Sequence, residues 1–116
     1  MDIQRINPAP KWSDATVFNG IGHFVEVAEA PENASLESQV AQIFEQAEAS
    51  LATFNSDKTR LLSVTIYLTD FAYLETFNQL WQDWLPEGSA PSRACVKAEL
   101  ADPDYLLEIT FVAAAK

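Results

Sequence analysis

One cysteine, one histidine and three glycines are all that this 116-residue chain holds of the residues that build disulfide frameworks, metal boxes and phosphate-cradling loops. Cys95 has no second thiol for an internal disulfide, and His23 stands outside any Cys, His and Asp spacing that would hold zinc. Three glycines also leave no Gly-rich phosphate loop and no flexible linker. Basic residues are scarce: seven Lys and Arg face seventeen Asp and Glu, and the resulting charge of -10 repels a phosphate backbone, which disfavours nucleic acid as a partner. The longest apolar run, "LLSVTIYL", has the length of a strand, far below the roughly 20 residues of a membrane span. No cationic stretch leading into an apolar one opens the chain. A soluble, cytoplasmic protein with no membrane partner is expected.

What is present is a folding composition. A hydrophobic content of 48% with 11% aromatics suits an ordered domain, and the length suits one domain spanning 1–116. "DIQRI", "DATVFN" and "GHFVEV" are β-favouring runs separated by turn-prone residues and predict an N-terminal hairpin region. Leu36, Val40, Ile43, Phe44, Ala47, Leu51 and Phe54 recur at spacings of three and four, with Ser35 placed to cap the helix they define. In "RLLSVTIYLTD" a period of two predicts Leu62, Val64, Ile66 and Leu68 on one face and Ser63, Thr65 and Tyr67 on the other. A second helix follows, with Thr69 and Asp70 at its start, Leu74, Phe77, Trp81 and Trp84 or Leu85 as its stripe, and Pro86 and Gly88 ending it. Trp81 and Trp84 belong most simply to helix packing. "SRACVKAEL" and "YLLEITFVAAA", joined by "ADPD", are expected to pair as a hairpin.

The order is thus β-β-β-α-β-α-β-β, an α+β fold with two helices on one face of a mixed sheet. Alternation predicts an opposite face carrying Ser63, Thr65, Tyr67, Arg93, Cys95, Lys97, Glu108 and Thr110. That mixture of small, polar and charged groups is expected to be covered by another subunit, leaving a polar pocket at the seam. Arg93 and Glu108 are the candidate chemistry, and their plain structural alternative is a cross-strand ion pair or a solvated face. Cys95, without a histidine partner, reads as a buried inert thiol.

"APSRACVKAEL", followed after a proline turn by "YLLEITFVAAA", resembles the C-terminal signature of the RidA (YjgF) family of reactive intermediate deaminases. Gln39, Asn78 and the N-terminal "RINPAPKWSDATVFNG" extend the likeness over the whole chain, closest to the YoaB-like branch. The resemblance implies a chorismate-mutase-like homotrimer with three clefts between subunits. It implies that Arg93 binds a ligand carboxylate, that Glu108 acts on the attacking water, and that Cys95 lines the same cleft; Tyr67, from its place on the polar face, joins the expected substrate-binding residues. The implied activity is hydrolysis of 2-imino or 2-enamino acids, such as 2-iminobutanoate, to 2-oxo acids and ammonia, with no cofactor and no metal. Where many members carry Ser-Gly or Thr-Gly after the third strand, this chain has Glu26 and Val27, which are expected to narrow the pocket and, if Glu26 points inward, to repel a substrate carboxylate, so that activity on 2-iminobutanoate is expected to be poor. Two alternatives stand beside deamination: a non-catalytic binder of small carboxylate metabolites with a regulatory role, and an endoribonuclease or translation inhibitor. Charge weighs against the latter unless Lys58, Arg60 or Lys97 form a local patch.

Overall fold

The computed structural model describes residues 2–116. Its strands are β1 (Gln4–Ile6), β2 (Ala15–Phe18), β3 (Ile21–Glu26), β4 (Leu61–Leu68), β5 (Ser92–Lys97) and β6 (Leu107–Ala114), with helices α1 (Leu36–Ala52) and α2 (Leu74–Trp84). The sheet order is β1-β2-β3-β6-β4-β5, with only β4 and β5 parallel. The expected α+β architecture is therefore correct in order, helix number and mixed sheet.

Local chemistry explains each boundary. Asn19 and Gly20 both have positive φ and link β2 to β3 as a two-residue hairpin turn, the backbone that Asn-Gly adopts readily. The Ser35 hydroxyl accepts from the Ser38 N–H at 3.1 Å and caps α1. Asp70 caps a short 3-10 turn, Phe71–Tyr73, which leads into α2. Both helices lie against one sheet face, where Phe24, Val64, Ile66, Leu68, Ile109 and Phe111 meet Val40, Ile43, Ala47, Leu51, Phe77 and Trp81 in a single core. Each such side chain contributes about 1.5–3 kcal/mol on burial. Trp81 and Trp84 pack as expected, with Phe44 stacked on Trp84 at 4.2 Å between ring centres.

Two expectations are overturned. The last two strands form no hairpin: β5 runs parallel to β4, because α2 carries the chain back to the start of the sheet as a βαβ crossover, and β6 enters antiparallel between β3 and β4. The "ADPD" turn does form, with Asp102 accepting from Asp104 and Tyr105 N–H groups, but it sits inside a longer excursion. Register then corrects the faces: Arg93, Cys95 and Lys97 align with Val64, Ile66 and Leu68 and lie on the helix side, while Ala94 and Val96 join Thr65 and Tyr67 on the open side. Leu62 also leaves its expected place. A bulge between Leu61 and Ser63 opposite β6 puts Leu61 in the core and leaves Leu62 46% exposed.

Gln39 ties the excursion before β6 to α1. It is fully buried, accepts from Leu106 N–H at 2.9 Å and donates to the carbonyls of Asp104 and Pro31 at 2.8 and 3.2 Å. Gln39→Leu fills the space but takes the partner from the Leu106 N–H and the Asp104 carbonyl, while the Pro31 carbonyl keeps the Ala34 N–H at 3.0 Å. An orphaned group costs about 1–3 kcal/mol, so urea unfolding should show a loss of at least about 1 kcal/mol. A neutral substitution would mean that the excursion is held by other contacts.

Candidate functional site

Arg93 lies on the outer strand β5, with α2 beneath its side chain. Its Nη2 donates to the Asn78 Oδ1 at 2.5 Å, and the guanidinium carbon stands 5.8 Å from the centre of the buried Phe77 ring. Asn78 and Phe77 are adjacent on one helix, so the same turn supplies both an acceptor that steers the guanidinium and an aromatic face that supports it. The only ion pair among the described residues joins Lys116 to Asp57 at 2.8 Å, so Arg93 is exposed without an acidic partner. Its remaining donors suit a planar carboxylate approached edge-on.

Glu108 lies elsewhere. It aligns with Tyr67 on the open face of the sheet, whereas Arg93 aligns through Val64 with Phe111 on the helix face. Two strand spacings and three residues along β6 separate the two, about 9.5 Å across and 10 Å along the sheet. The cross-strand ion pair is thereby excluded within one chain, and Arg93 and Glu108 do not form a common site there. Tyr67 and Glu108 are brought together; Cys95 remains with Arg93 on the other side. His23 is an exposed residue of the open face.

A concavity of about 1350 Å³ joins Glu108, Tyr105, Thr110, Val25 and His23 to Glu26, Val27, Gln46 and Ser50. It includes groups from both faces because β2 pairs with β3 only as far as His23, which leaves a free edge beside Val25 and Glu26 round which the space wraps. Glu26 does not offer a free carboxylate to this space. Its oxygens accept from Ser50 Oγ at 2.7 Å and Gln46 Nε2 at 3.1 Å, both on α1, while the Val27 carbonyl accepts from the same Gln46 amide at 2.7 Å. The expected head-on repulsion of a ligand carboxylate by Glu26 is therefore replaced by an internal polar clamp. Burial pushes the Glu26 carboxyl above its usual 4.5, opposed by the hydrogen bonds from Ser50 and Gln46 and reinforced by the nearby charges of Asp14 and Glu29. Half-buried Cys95 has its thiol raised above the usual 9.0 by burial, with the Arg93 charge acting the other way, an environment that disfavours the thiolate.

The sequence reading missed the clamp and the steering role of Asn78. The clamp had a signal, since Gln42, Gln46 and Ser50 recur every four residues on a helix otherwise read for its apolar stripe. Asn78 was singled out only for family likeness; its contact with Arg93 needed the parallel pairing of β5, which no local pattern announces.

These features define an α+β domain with one helix-covered sheet face, one bare face and an unpaired arginine at the sheet edge. Residues 3–115 match the family model described as Endoribonuclease L-PSP, and the chain belongs to that family, the YjgF/RidA family. RutC family protein YoaB of Escherichia coli K12 is 35% identical over 116 residues, covering 98% of this chain and 99% of that one. A RutC family protein of Haemophilus ducreyi is 33% identical over 112 residues, covering 97% and 96%. The crystal structure of a YjgF family member from Neisseria meningitidis superposes with a TM-score of 0.94 at 33% identity, over 100% of this chain and 97% of that one. The resemblance of the C-terminal signature to this family, and to its YoaB-like members, is thus correct. Among the described residues no helix is long and apolar enough to cross a membrane.

Two outcomes follow from the titrating groups. A carboxyl with a raised folded pKa binds a proton more tightly folded than unfolded, so Glu26 favours folding below about its usual value and loses that advantage as pH rises through its folded pKa. Urea melts from pH 4 to pH 7 should therefore show wild type losing stability relative to Glu26→Gln; a relative gain would contradict the assignment. Iodoacetamide at pH 7.5 should alkylate Cys95 in the folded protein at least about fivefold more slowly than free cysteine, and equal rates would mean an activated thiolate.

Proposed function

We propose that this protein hydrolyses 2-imino and 2-enamino acids to 2-oxo acids and ammonia, in clefts completed by neighbouring copies within a homotrimer. The observation that carries this reading is Arg93: a guanidinium steered by Asn78, backed by Phe77 and without an acidic partner among the described residues. Such a fork holds a 2-imino carboxylate by two parallel hydrogen bonds and fixes the adjacent imine carbon. That carbon is electrophilic, the more so when its nitrogen is protonated. Water adds to it, forming the C–O bond and a carbinolamine; Glu108 of a neighbouring copy takes the proton from water and returns it to nitrogen. Collapse forms the carbonyl, breaks the C–N bond and releases ammonia, with no change in oxidation state and no cofactor.

The homotrimer is supported by the bare face, where Val25 and Val96 are 53% and 40% exposed beside Thr65, Tyr67 and Thr110. Because Glu108 and Arg93 lie on opposite faces of one sheet, a cleft that uses both requires a neighbouring copy whose β5 edge meets the bare face. Tyr67 beside Glu108, and the backbone at Cys95 beside Arg93, complete the proposed cleft from its two sides.

A second reading, capture of small carboxylates without turnover, is favoured by the separation of Arg93 from Glu108, since the arginine needs no help to bind an acid. Ribonuclease action has less support: three chains of -10 would carry about -30. Arg60, moreover, donates to the carbonyls of Ala114 and Ala115 rather than joining a basic patch.

A coupled assay that generates 2-iminobutanoate in situ decides between enzyme and binder. Accelerated release of 2-oxobutanoate is expected; binding of 2-oxobutanoate without acceleration would establish the second reading. Arg93→Lys should be nearly as damaging as Arg93→Ala, each losing about 1.5–3 kcal/mol of ligand affinity, because ammonium keeps the charge and loses the fork. Glu108→Gln should lower kcat about hundredfold while leaving that affinity largely intact.

A further inference from the structure

Glu26 closes β3 opposite Ile109, and the four residues Val27–Ala30 beyond it leave the sheet and run along α1, which holds polar groups of this stretch at several points. Gln42 accepts from Ala30 N–H at 2.9 Å and donates to the Ala30 carbonyl at 3.0 Å. Gln46 accepts from Glu29 N–H at 3.0 Å and donates to Val27 O and Glu26 Oε1, and Ser50 donates to Glu26 Oε2. Residues four apart on a helix lie above one another, so these three side chains form a single polar rail along α1. Two glutamine amides, each using both its donor and its acceptor, thereby replace the ladder that an irregular segment lacks. Ala28, at 1% exposure, is the buried pivot between the held ends.

The segment is also a wall of the concavity that holds Glu108 and Tyr105. We infer that Gln42, Gln46 and Ser50 are positioning residues for the ligand: by clamping Glu26–Ala30 they fix the wall near Glu108 and set how closely a small 2-oxo or 2-imino acid is enclosed. The inference rests on the function proposed above. It gives Glu26 a role as the anchor of the wall, one that an uncharged small residue at that position could not fill through Ser50 and Gln46. It also predicts that loosening the rail acts on binding rather than on chemistry, because none of the three side chains is assigned a contact with the reacting atoms.

The test titrates 2-oxobutanoate into wild type, Gln46→Ala, Ser50→Ala and Ser50→Thr, with steady-state imine hydrolysis and amide hydrogen exchange on the same samples. Gln46→Ala should raise Kd and KM about tenfold, leave kcat within about twofold, and speed exchange of the Glu29 and Ala30 amides. Ser50→Ala should show a smaller rise in Kd, and Ser50→Thr, which keeps the hydroxyl, should restore wild-type affinity. Should Gln46→Ala fail to fold, the Ser50 pair decides: equal affinities of Ser50→Ala and wild type overturn the inference. Faster exchange with unchanged Kd, or a fall in kcat at unchanged Kd, overturns it as well. Wild type that neither binds 2-oxobutanoate nor hydrolyses the imine overturns the proposed function and this inference together, whereas wild-type binding with unaltered variants overturns this inference alone.

Discussion

Two helices can cover only one face of a six-stranded sheet, and the remaining features of this protein follow from that asymmetry. The helix-covered face carries the whole core, from Phe24 and Phe111 stacked at 4.8 Å to the fully buried Ile66, Leu68 and Ile109. The bare face carries threonines, Tyr67, His23, apolar groups that include Phe18, and one carboxylate, Glu108. The βαβ crossover through α2 puts β5 at the edge and turns Arg93 toward the helices, while the insertion of β6 into the middle of the sheet turns Glu108 away from them. The two residues with the chemistry to recognise and process an acid are therefore held on opposite sides of the same sheet.

Elements whose cause is local were legible in the sequence. The apolar spacing of α1, its Ser35 cap, the alternation of β4 beyond Val64 and the stripe of α2 all reflect neighbours within one turn or one pleat. Strand order is set by competition between distant segments. "SRACVKAEL" and "YLLEITFVAAA" look like a hairpin because they are adjacent and separated by a good turn, but α2 makes the parallel partner of β4 available first along the chain, and β6 then pairs with two strands instead of one. One wrong pairing reversed the faces of Arg93, Cys95 and Lys97, although those three residues were correctly placed in a strand. The single-residue bulge at Leu62 is a smaller case: a period of two has no means of showing an inserted residue.

The candidate site was legible in composition and not in geometry. Arg93 and Glu108 stood out as charges in β-favouring runs, and Glu26 and Val27 as a departure from the family pattern. Their partners came from elsewhere: Asn78 and Phe77 from α2, Gln46 and Ser50 from α1. Glu26 illustrates the difference, since a carboxylate expected to oppose a ligand is instead committed to α1.

The central claim is that the proposed cleft takes its arginine from one copy and its glutamate from another. Subunit mixing tests it most directly. Arg93→Ala and Glu108→Gln proteins, each strongly impaired in the imine assay, would be unfolded together, refolded as mixed oligomers and assayed at a substrate concentration below the KM of the Arg93 variant. A cleft shared between copies predicts recovery of up to about a quarter of wild-type activity, the fraction of seams that combine an intact Arg93 with an intact Glu108 in a randomly mixed cyclic assembly. Mixed oligomers with no more activity than the separate variants would contradict the account.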